Sequence, residues 1–323
     1  MRQAAERYQI PVSDWLDLST GINPDPWPVP RLSPHCWWRL PEDEDGLDSA
    51  AADYYGASSP LPLAGSQAAI QALPMLRESA RVGIQRLGYR EHAHAWRRAG
   101  HSLIELDDEA IEAHLDDSAG GLDVLVVINP NNPSGRCWPI ERLLAWHARL
   151  AERGGWLVVD EAFMDATPGA SLLPYAGREG LVVLRSLGKF FGLAGARVGF
   201  LFAEPRLRER VRRLLGPWTL ASPAREVARL ALSDRGWQER ERRSLPLRAA
   251  RLADLLDRHG LTPAGGTALF QWVRTQEAVR IQDALACRAI LVRRFDAPQS
   301  LRFGLPGDVS EWQRLAGALD SSL

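Results

Sequence analysis

The sequence predicts an α/β fold built on a mainly parallel sheet, and three observations predict it. Four short apolar runs, LDVLVVIN (122–129), WLVVD (156–160), LVVLRS (181–186) and VGFLFA (198–203), are continuous rather than alternating, as strands covered on both faces are. The first two are separated by WPIERLLAWHARLAERGG, a helical pattern, so strand, helix and strand follow at the spacing of a parallel βαβ unit. Three of the runs end in polar turns, NPNNPSG, DEAF and SLGK, and in open parallel sheets ligands sit beyond the carboxyl ends of the strands.

The elements can be justified in chain order. The first 34 residues carry six prolines and Gly21, which predicts an irregular arm packed over a site or a neighbour. LPLAGSQAAIQAL (61–73) reads as a short strand, a turn and a helix start. In the linking helix Pro139 suits the first turn, Ile140, Leu143, Leu144 and Leu150 share one face, and Gly154 can end it. From about residue 206 the character changes: arginine-rich helical stretches over 206–215 and 236–258 lead into TALFQWV, AILVRRF and LRFGLP. Helices followed by a few strands predict a smaller α+β domain. The expected division is a large domain over 35–205 and a small one over 206–323 joined by the arm 1–34.

Bulk properties exclude several function classes. In 323 residues, 46% are hydrophobic and 24% charged, ordinary for a globular protein. A net charge of −1 and a pI near 6.7 provide no field to draw in nucleic acid or an anionic membrane. The basic stretch Arg206 to Arg213 alternates with Leu and Val, as the wet face of a helix does. Cys36, Cys137 and Cys287 form no CxxC, and the seven histidines form no HExxH, so no metal site is expected. The N-terminal residues do not read as a signal segment, and no run approaches the ~18 apolar residues of a membrane helix. A soluble, cytoplasmic protein with reduced thiols is expected.

Of 39 Lys and Arg residues, 38 are arginine; Lys189 is the single lysine. Guanidinium keeps its proton at any physiological pH and cannot act as an amine nucleophile. An ε-amine can, once its pKa of about 10.4 is lowered. A chain that uses arginine for ordinary cationic work keeps lysine where a free amine matters. One lysine could also fall on a surface by chance, but Lys189 follows a buried-type strand, among phenylalanines and glycines. Schiff-base chemistry is the sharper hypothesis.

NPNNPSG, VVDEAF and SLGKFFGLAGARVG, with the order and spacing of Asn132, Asp160, Lys189 and Arg197, resemble the fold-type I pyridoxal-phosphate enzymes of the aminotransferase-like branch. The resemblance runs over roughly residues 17 to 305. It implies a pyridoxal-phosphate-dependent transferase-like large domain with pyridoxal 5'-phosphate as cofactor. It also implies a homodimer, because sites of this family lie at the subunit interface. By the same resemblance Lys189 links covalently to the cofactor aldehyde and later moves a proton. Asp160 keeps the pyridine nitrogen protonated, Asn132 donates to the phenolic oxygen, and Asn131 positions the turn. Ser66, Gln67, Ser186 and Arg197 match the phosphate-binding positions. Ser66 also reads as a plain N-cap, and Arg197 as a surface charge. Tyr89 falls where the family stacks an aromatic ring, although the usual proline two residues earlier is Leu87; an ordinary core aromatic is the competing reading. Arg302, in SLRFGLP, matches the substrate-carboxylate arginine.

Within the branch, LDLSTGINPDPWP resembles the substrate loop of the threonine-phosphate decarboxylases of cobalamin biosynthesis more than the SxNENPxG of histidinol-phosphate aminotransferases. That places Asn23 among the substrate-binding residues with Asn132 and Arg302, and puts the substrate phosphate near Ser19 to Asn23 and Arg31. Phe163 stands where aminotransferases of the branch usually have tyrosine. Leu40 and Gly188 replace a tyrosine and a hydroxyl residue that serve the cofactor phosphate. The implied activity is that of a lyase: decarboxylation of a phosphorylated amino acid, L-threonine O-3-phosphate. A histidinol-phosphate or related amino-acid aminotransferase is the alternative, and a non-catalytic cofactor-binding regulator a third.

Overall fold

The structure is a computed structural model that describes residues 1–116 and 121–321. Its strands are β1 (Leu16–Leu18), β2 (Leu61–Leu63), β3 (Arg81–Gln85), β4 (Ser102–Leu106), β5 (Val124–Ile128), β6 (Trp156–Asp160), β7 (Leu181–Ser186), β8 (Gly199–Phe202), β9 (Gly265–Thr267), β10 (Phe270–Arg274), β11 (Ile290–Asp296) and β12 (Gln299–Gly304). They form two sheets, one in each of two compact units. The larger unit takes residues 27–132 and 137–238, the smaller 1–26, 133–136 and 239–323. Helices Pro205–Leu215 and Ser222–Ser233 therefore count with the larger unit, whereas the sequence places the change of character at 206.

The larger unit is built on a seven-stranded sheet of order β2-β8-β7-β6-β5-β3-β4. From β7 to β4 every neighbour is parallel, as the continuous apolar runs predict. Every residue of β5 and β6 is buried. The fourth run, β8, departs: it pairs antiparallel with both β7 and β2, because the short turn from Leu187 to Val198 returns the chain directly beside the strand it left. Helix Ile140–Ala151 supplies the crossover between β5 and β6 and buries Leu143, Trp146, His147 and Leu150. Pro139 stands just before it in extended conformation, and Gly154 reverses the chain after it at φ +65°.

Strand β3 pairs with β4 on one side and β5 on the other. The chain therefore moves outward from β3 to β4 and then returns across β3 to begin β5. At such a reversal the turns beyond the strand ends diverge and leave a crevice. Gln85, the last residue of β3, ties this point together: its Oε1 accepts from the Ile128 N–H at 2.8 Å and from Asn131 Nδ2 at 3.2 Å. Asn131 Nδ2 also donates to the Leu87 carbonyl at 2.9 Å. Asn131 is buried and holds the turn, the part assigned to it from the sequence.

The smaller unit carries a five-stranded sheet of order β1-β11-β12-β10-β9. The arm is more regular than its prolines suggest. Arg2–Tyr8 is helical, and β1 adds to the sheet parallel to β11. The physical reason is burial: Ala5 and Trp15 pack against Ala286 and Ala289, so the arm gains an apolar face that its composition hides.

Candidate active site

Beyond the carboxyl ends of β3, β5, β6 and β7 the larger unit holds a pocket of about 130 Å³. Its wall brings together Ser66, Gln67, Tyr89, Asn132, Asp160, Ser186, Lys189 and Arg197, residues drawn from segments up to 131 positions apart in the chain. A larger cleft of about 370 Å³ in the same unit is lined by Asp43, Asp48, Arg212, Arg213, Trp218 and Arg225 among others. Its lining residues include no nucleophile paired with a base, so the smaller pocket is the candidate site.

At one end of the pocket stands Asp160, the last residue of β6 and 3% exposed. Its Oδ1 accepts from the Ala162 N–H at 3.1 Å, and its Oδ2 lies 2.9 Å from His92 Nε2. A carboxylate buried this deeply requires partners. The backbone amide and the imidazole provide two and leave the pocket side for a third. His92 was not singled out from the sequence. The signal was its spacing: three residues after Tyr89, on the helix Arg90–Arg98, it lies on the same face, and the two rings meet edge to face at 6.3 Å.

At the other end the chain offers donors. Gly65 precedes the helix Ser66–Ala72 and occupies its N-cap position without a side-chain bond. Ser66 is thus the first helical residue rather than the cap, and amides at this helix start face an anion favourably. Gly65 sits at φ +77°, ψ 159°, a region open essentially to glycine alone. A Cβ built there would lie 2.9 Å from Arg197 Nη2, which places the guanidinium directly against the turn. Arg197 itself holds φ +53°, a left-handed conformation that non-glycine residues adopt at a cost. It is exposed as a residue, its Nη1 donates to the Ala194 carbonyl at 3.2 Å, and it lines the pocket. Ser186, at the end of β7, accepts from the Gly188 N–H at 3.3 Å.

Between the ends, Lys189 Nζ lies 5.5 Å from the centre of the Phe163 ring. Phe163 is 5% exposed and lines the pocket. A tyrosine there would bring a hydroxyl; phenylalanine leaves an apolar wall beside the amine. Tyr89 is 41% exposed, and its hydroxyl donates to Gln67 Oε1 at 3.3 Å; it stands at the pocket mouth and is not a core aromatic. Gly188 is confined: a Cβ there would come within 3.1 Å of Ala194 Cα, which accounts physically for a missing side chain before the lysine. Leu40 is 62% exposed.

Asn23 and Arg302 belong to the smaller unit. Asn23 is buried; its Nδ2 donates to Glu241 Oε2 at 2.8 Å and its Oδ1 accepts from the Asp25 N–H at 3.0 Å. Arg302, on β12, is buried with its guanidinium over the Phe270 ring at 5.1 Å, and its Nη2 donates to the Ser19 carbonyl at 2.5 Å. Burial, aided by Arg293 directly opposite on β11, pulls its pKa down to about 10. A guanidinium short of solvent and facing a second cation is well suited to an anion.

The chain matches the model of the aminotransferase class I and II family over residues 42–319. It is 55% identical over 319 residues to a threonine-phosphate decarboxylase of Pseudomonas aeruginosa, an alignment covering 99% of this chain and 95% of that one. A threonine-phosphate decarboxylase of a Sinorhizobium species is 41% identical, with 98% and 95% covered. Among solved structures, a histidinol-phosphate aminotransferase of Sinorhizobium meliloti in complex with pyridoxal-5'-phosphate superposes with a TM-score of 0.86 at 20% identity, covering 99% of this chain and 93% of that one. With its parallel sheet, its lysine-bearing pocket and these relatives, the chain belongs to the aminotransferase class I and II family.

Proposed function

We propose that this protein is a pyridoxal-phosphate-dependent lyase that decarboxylates L-threonine O-3-phosphate to (R)-1-amino-2-propanol O-2-phosphate, the aminopropanol linker of cobalamin. The observation that carries the reading is the 55% identity, end to end, with a protein of that activity. The likeness to histidinol-phosphate aminotransferases is weaker in sequence, 38% identity over 42% of this chain in one relative and 30% over 64% in another, and 20% in the superposed structure.

The pocket fits the cofactor on its own chemistry. It has a helix start, a serine and an arginine for a phosphate, an amine for an aldehyde and, at the opposite end, a buried carboxylate for a protonated ring nitrogen. When bound, pyridoxal phosphate supplies an electron sink for the bond broken at the substrate Cα. The protein's part is to hold and to move protons. Asp160, fixed by His92 and the Ala162 amide, keeps a proton on the ring nitrogen; a charge-assisted bond of this kind contributes about 1.5–3 kcal/mol. Ser66, Gln67, Ser186 and Arg197 are the proposed phosphate holders, Asn132 the donor to the phenolic oxygen, and Tyr89 the ring packed on the face. Lys189 Nζ would hold the cofactor aldehyde and, released when the substrate amine takes its place, would be the amine positioned to give a proton to Cα where the carboxylate leaves. Arg302 is the proposed partner of the substrate carboxylate. Asn23 is the proposed anchor of the substrate loop, its amide already held by Glu241. The residues that hold the substrate would decide which bond at Cα is aligned to break.

A cytoplasmic homodimer is part of the same proposal. Trp37, Trp38, Leu40 and Trp218 are 59–72% exposed in the larger unit, an apolar surface of the kind that a partner covers. No helix of the described residues is long and apolar enough to cross a membrane. The deciding experiment is incubation with L-threonine O-3-phosphate. Carbon dioxide release without a keto-acid acceptor is expected; turnover that needs an acceptor overturns the decarboxylase reading in favour of an aminotransferase.

A further inference from the structure

Beneath the pocket lies a buried ionic cluster that none of the roles above uses. Glu161 follows Asp160 and is 0% exposed; Arg185 precedes Ser186 and is 2% exposed. Successive residues of an extended chain face opposite ways, so each turns its charge away from the pocket while its neighbour faces it. Arg185 Nη1 donates to Glu161 Oε2 and Nη2 to Asp165 Oδ1, both at 2.8 Å. Glu161 also accepts from the Ser171 hydroxyl at 2.5 Å and the Leu172 N–H at 2.7 Å. Its own N–H donates to the Leu184 carbonyl at 2.9 Å. The Tyr54 hydroxyl reaches Asp165 Oδ1 at 2.9 Å, and the guanidinium lies 4.8 Å from the Tyr55 ring centre.

Two carboxylates and one cation out of water are costly, and apolar residues of similar volume commonly hold a core as well or better. The β6–β7 ladder, which pairs Asp160 with Leu184, sets the register of the strands, but it does not reach the turn beyond β6, and apolar residues cannot tie that turn in a fixed direction. The cluster does this: a single planar fork engages the turn after β6 and is anchored on β7, one residue from Ser186 and four from Lys189. We propose that Arg185, with Glu161 and Asp165, is a positioning unit that sets the Asp160 carboxylate and the Ser186–Lys189 turn at the separation pyridoxal phosphate spans. The proposal rests on the cofactor reading above. A guanidinium fork suits the role, since it binds two carboxylates in fixed directions.

The test compares Arg185→Lys, Glu161→Gln and Ser171→Ala with the parent. Three readouts are taken: cofactor dissociation by absorbance titration of the apoprotein, the pH midpoint of the visible absorbance of the Lys189-linked cofactor, and Tm. Arg185→Lys and Glu161→Gln are expected to weaken cofactor binding by about tenfold or more, the scale of a lost charge-assisted bond, and to displace the pH midpoint. Ser171→Ala, which removes a donor to Glu161 and an acceptor for Arg185 Nη1 and the Leu173 N–H but leaves the ion pairs, moves both in the same direction by less. Variants with parental cofactor affinity and midpoint but a lowered Tm refute the positioning role. If Arg185→Lys does not fold, the other two decide alone. A parent protein that gains no visible absorbance with pyridoxal phosphate fails the cofactor reading itself, a result distinct from parent-like variants.

Discussion

Gly199 opens β8 in a space that admits no side chain. A Cβ built there would lie 2.3 Å from the Ser66 nitrogen, 2.7 Å from the Gly65 carbonyl carbon and 2.9 Å from the Arg185 oxygen. All three are backbone atoms, so no rotamer change relieves the clash. To reach the 3.4 Å of ordinary contact, β8 and the Gly65–Ser66 turn must part by a little over 1 Å. Gly199→Ala therefore tests whether that turn is the phosphate seat. Overpacking of this kind costs about 1–3 kcal/mol; falling on the turn, it weakens cofactor affinity by about 5- to 150-fold. A displacement near 1 Å in a positioning group can also lower the chemical step by about 10²-fold. The assay is titration of the apoprotein with pyridoxal phosphate, followed by kcat/KM for L-threonine O-3-phosphate at saturating cofactor. A variant that binds the cofactor within about twofold of the parent refutes the assignment of the Ser66–Gln67 turn, since one RT of strain already exceeds that change.

Three further outcomes follow from the same geometry. Lys189→Arg keeps the charge and removes the neutral amine, so turnover drops by at least about 10²–10⁴-fold, the value of a positioned proton donor, and the visible absorbance of the bound cofactor disappears; residual turnover near the parental rate is incompatible with the mechanism. His92→Phe removes the imidazole 2.9 Å from Asp160 and lowers kcat/KM about tenfold, the scale of one hydrogen bond to a charged group, with steady-state kinetics as the check. Burial raises the Glu241 carboxyl above its ordinary 4.5, with Asn23's hydrogen bond opposing. A carboxyl raised in the folded state binds its proton more tightly there than in the unfolded chain, so stability falls as pH rises from 4.5 through the raised value. Glu241→Gln keeps an acceptor for Asn23 and removes that loss; its Tm advantage over the parent is expected at neutral pH and absent at acid pH, and thermal melts across that range show whether it is.

Much of the larger unit was legible because β5, β6 and β7 are buried along nearly their whole length, and burial on both faces writes an uninterrupted apolar run. β3 and β4 were not, since RVGIQ has only two large apolar residues, split by a glycine and flanked by polar ends, and β4, at the sheet edge, keeps half-exposed and polar positions. Lys189 was legible as the single lysine, whereas Ser66, Gln67, Tyr89, Asn132, Asp160, Ser186 and Arg197 were reached through the resemblance carried by NPNNPSG, VVDEAF and SLGKFFGLAGARVG. The residues that support them were not. His92 sits two positions from the surface residue His94, and nothing local distinguishes them. Glu161 and Arg185 lie 24 positions apart with no local pattern to link them, and only the fold makes them meet. Asn23 finds its carboxylate 218 residues away, a distance over which sequence carries no pattern.

The pocket amine has a practical corollary. With one ε-amine in 323 residues, an amine-directed reagent has two places to react: Lys189 and the chain's amino group. Under the proposed attachment at Lys189, hydride fixation of the cofactor tags each loaded molecule at that amine. The mass of the intact chain then reads the loaded fraction without a calibration standard, turning the site into its own stoichiometric counter.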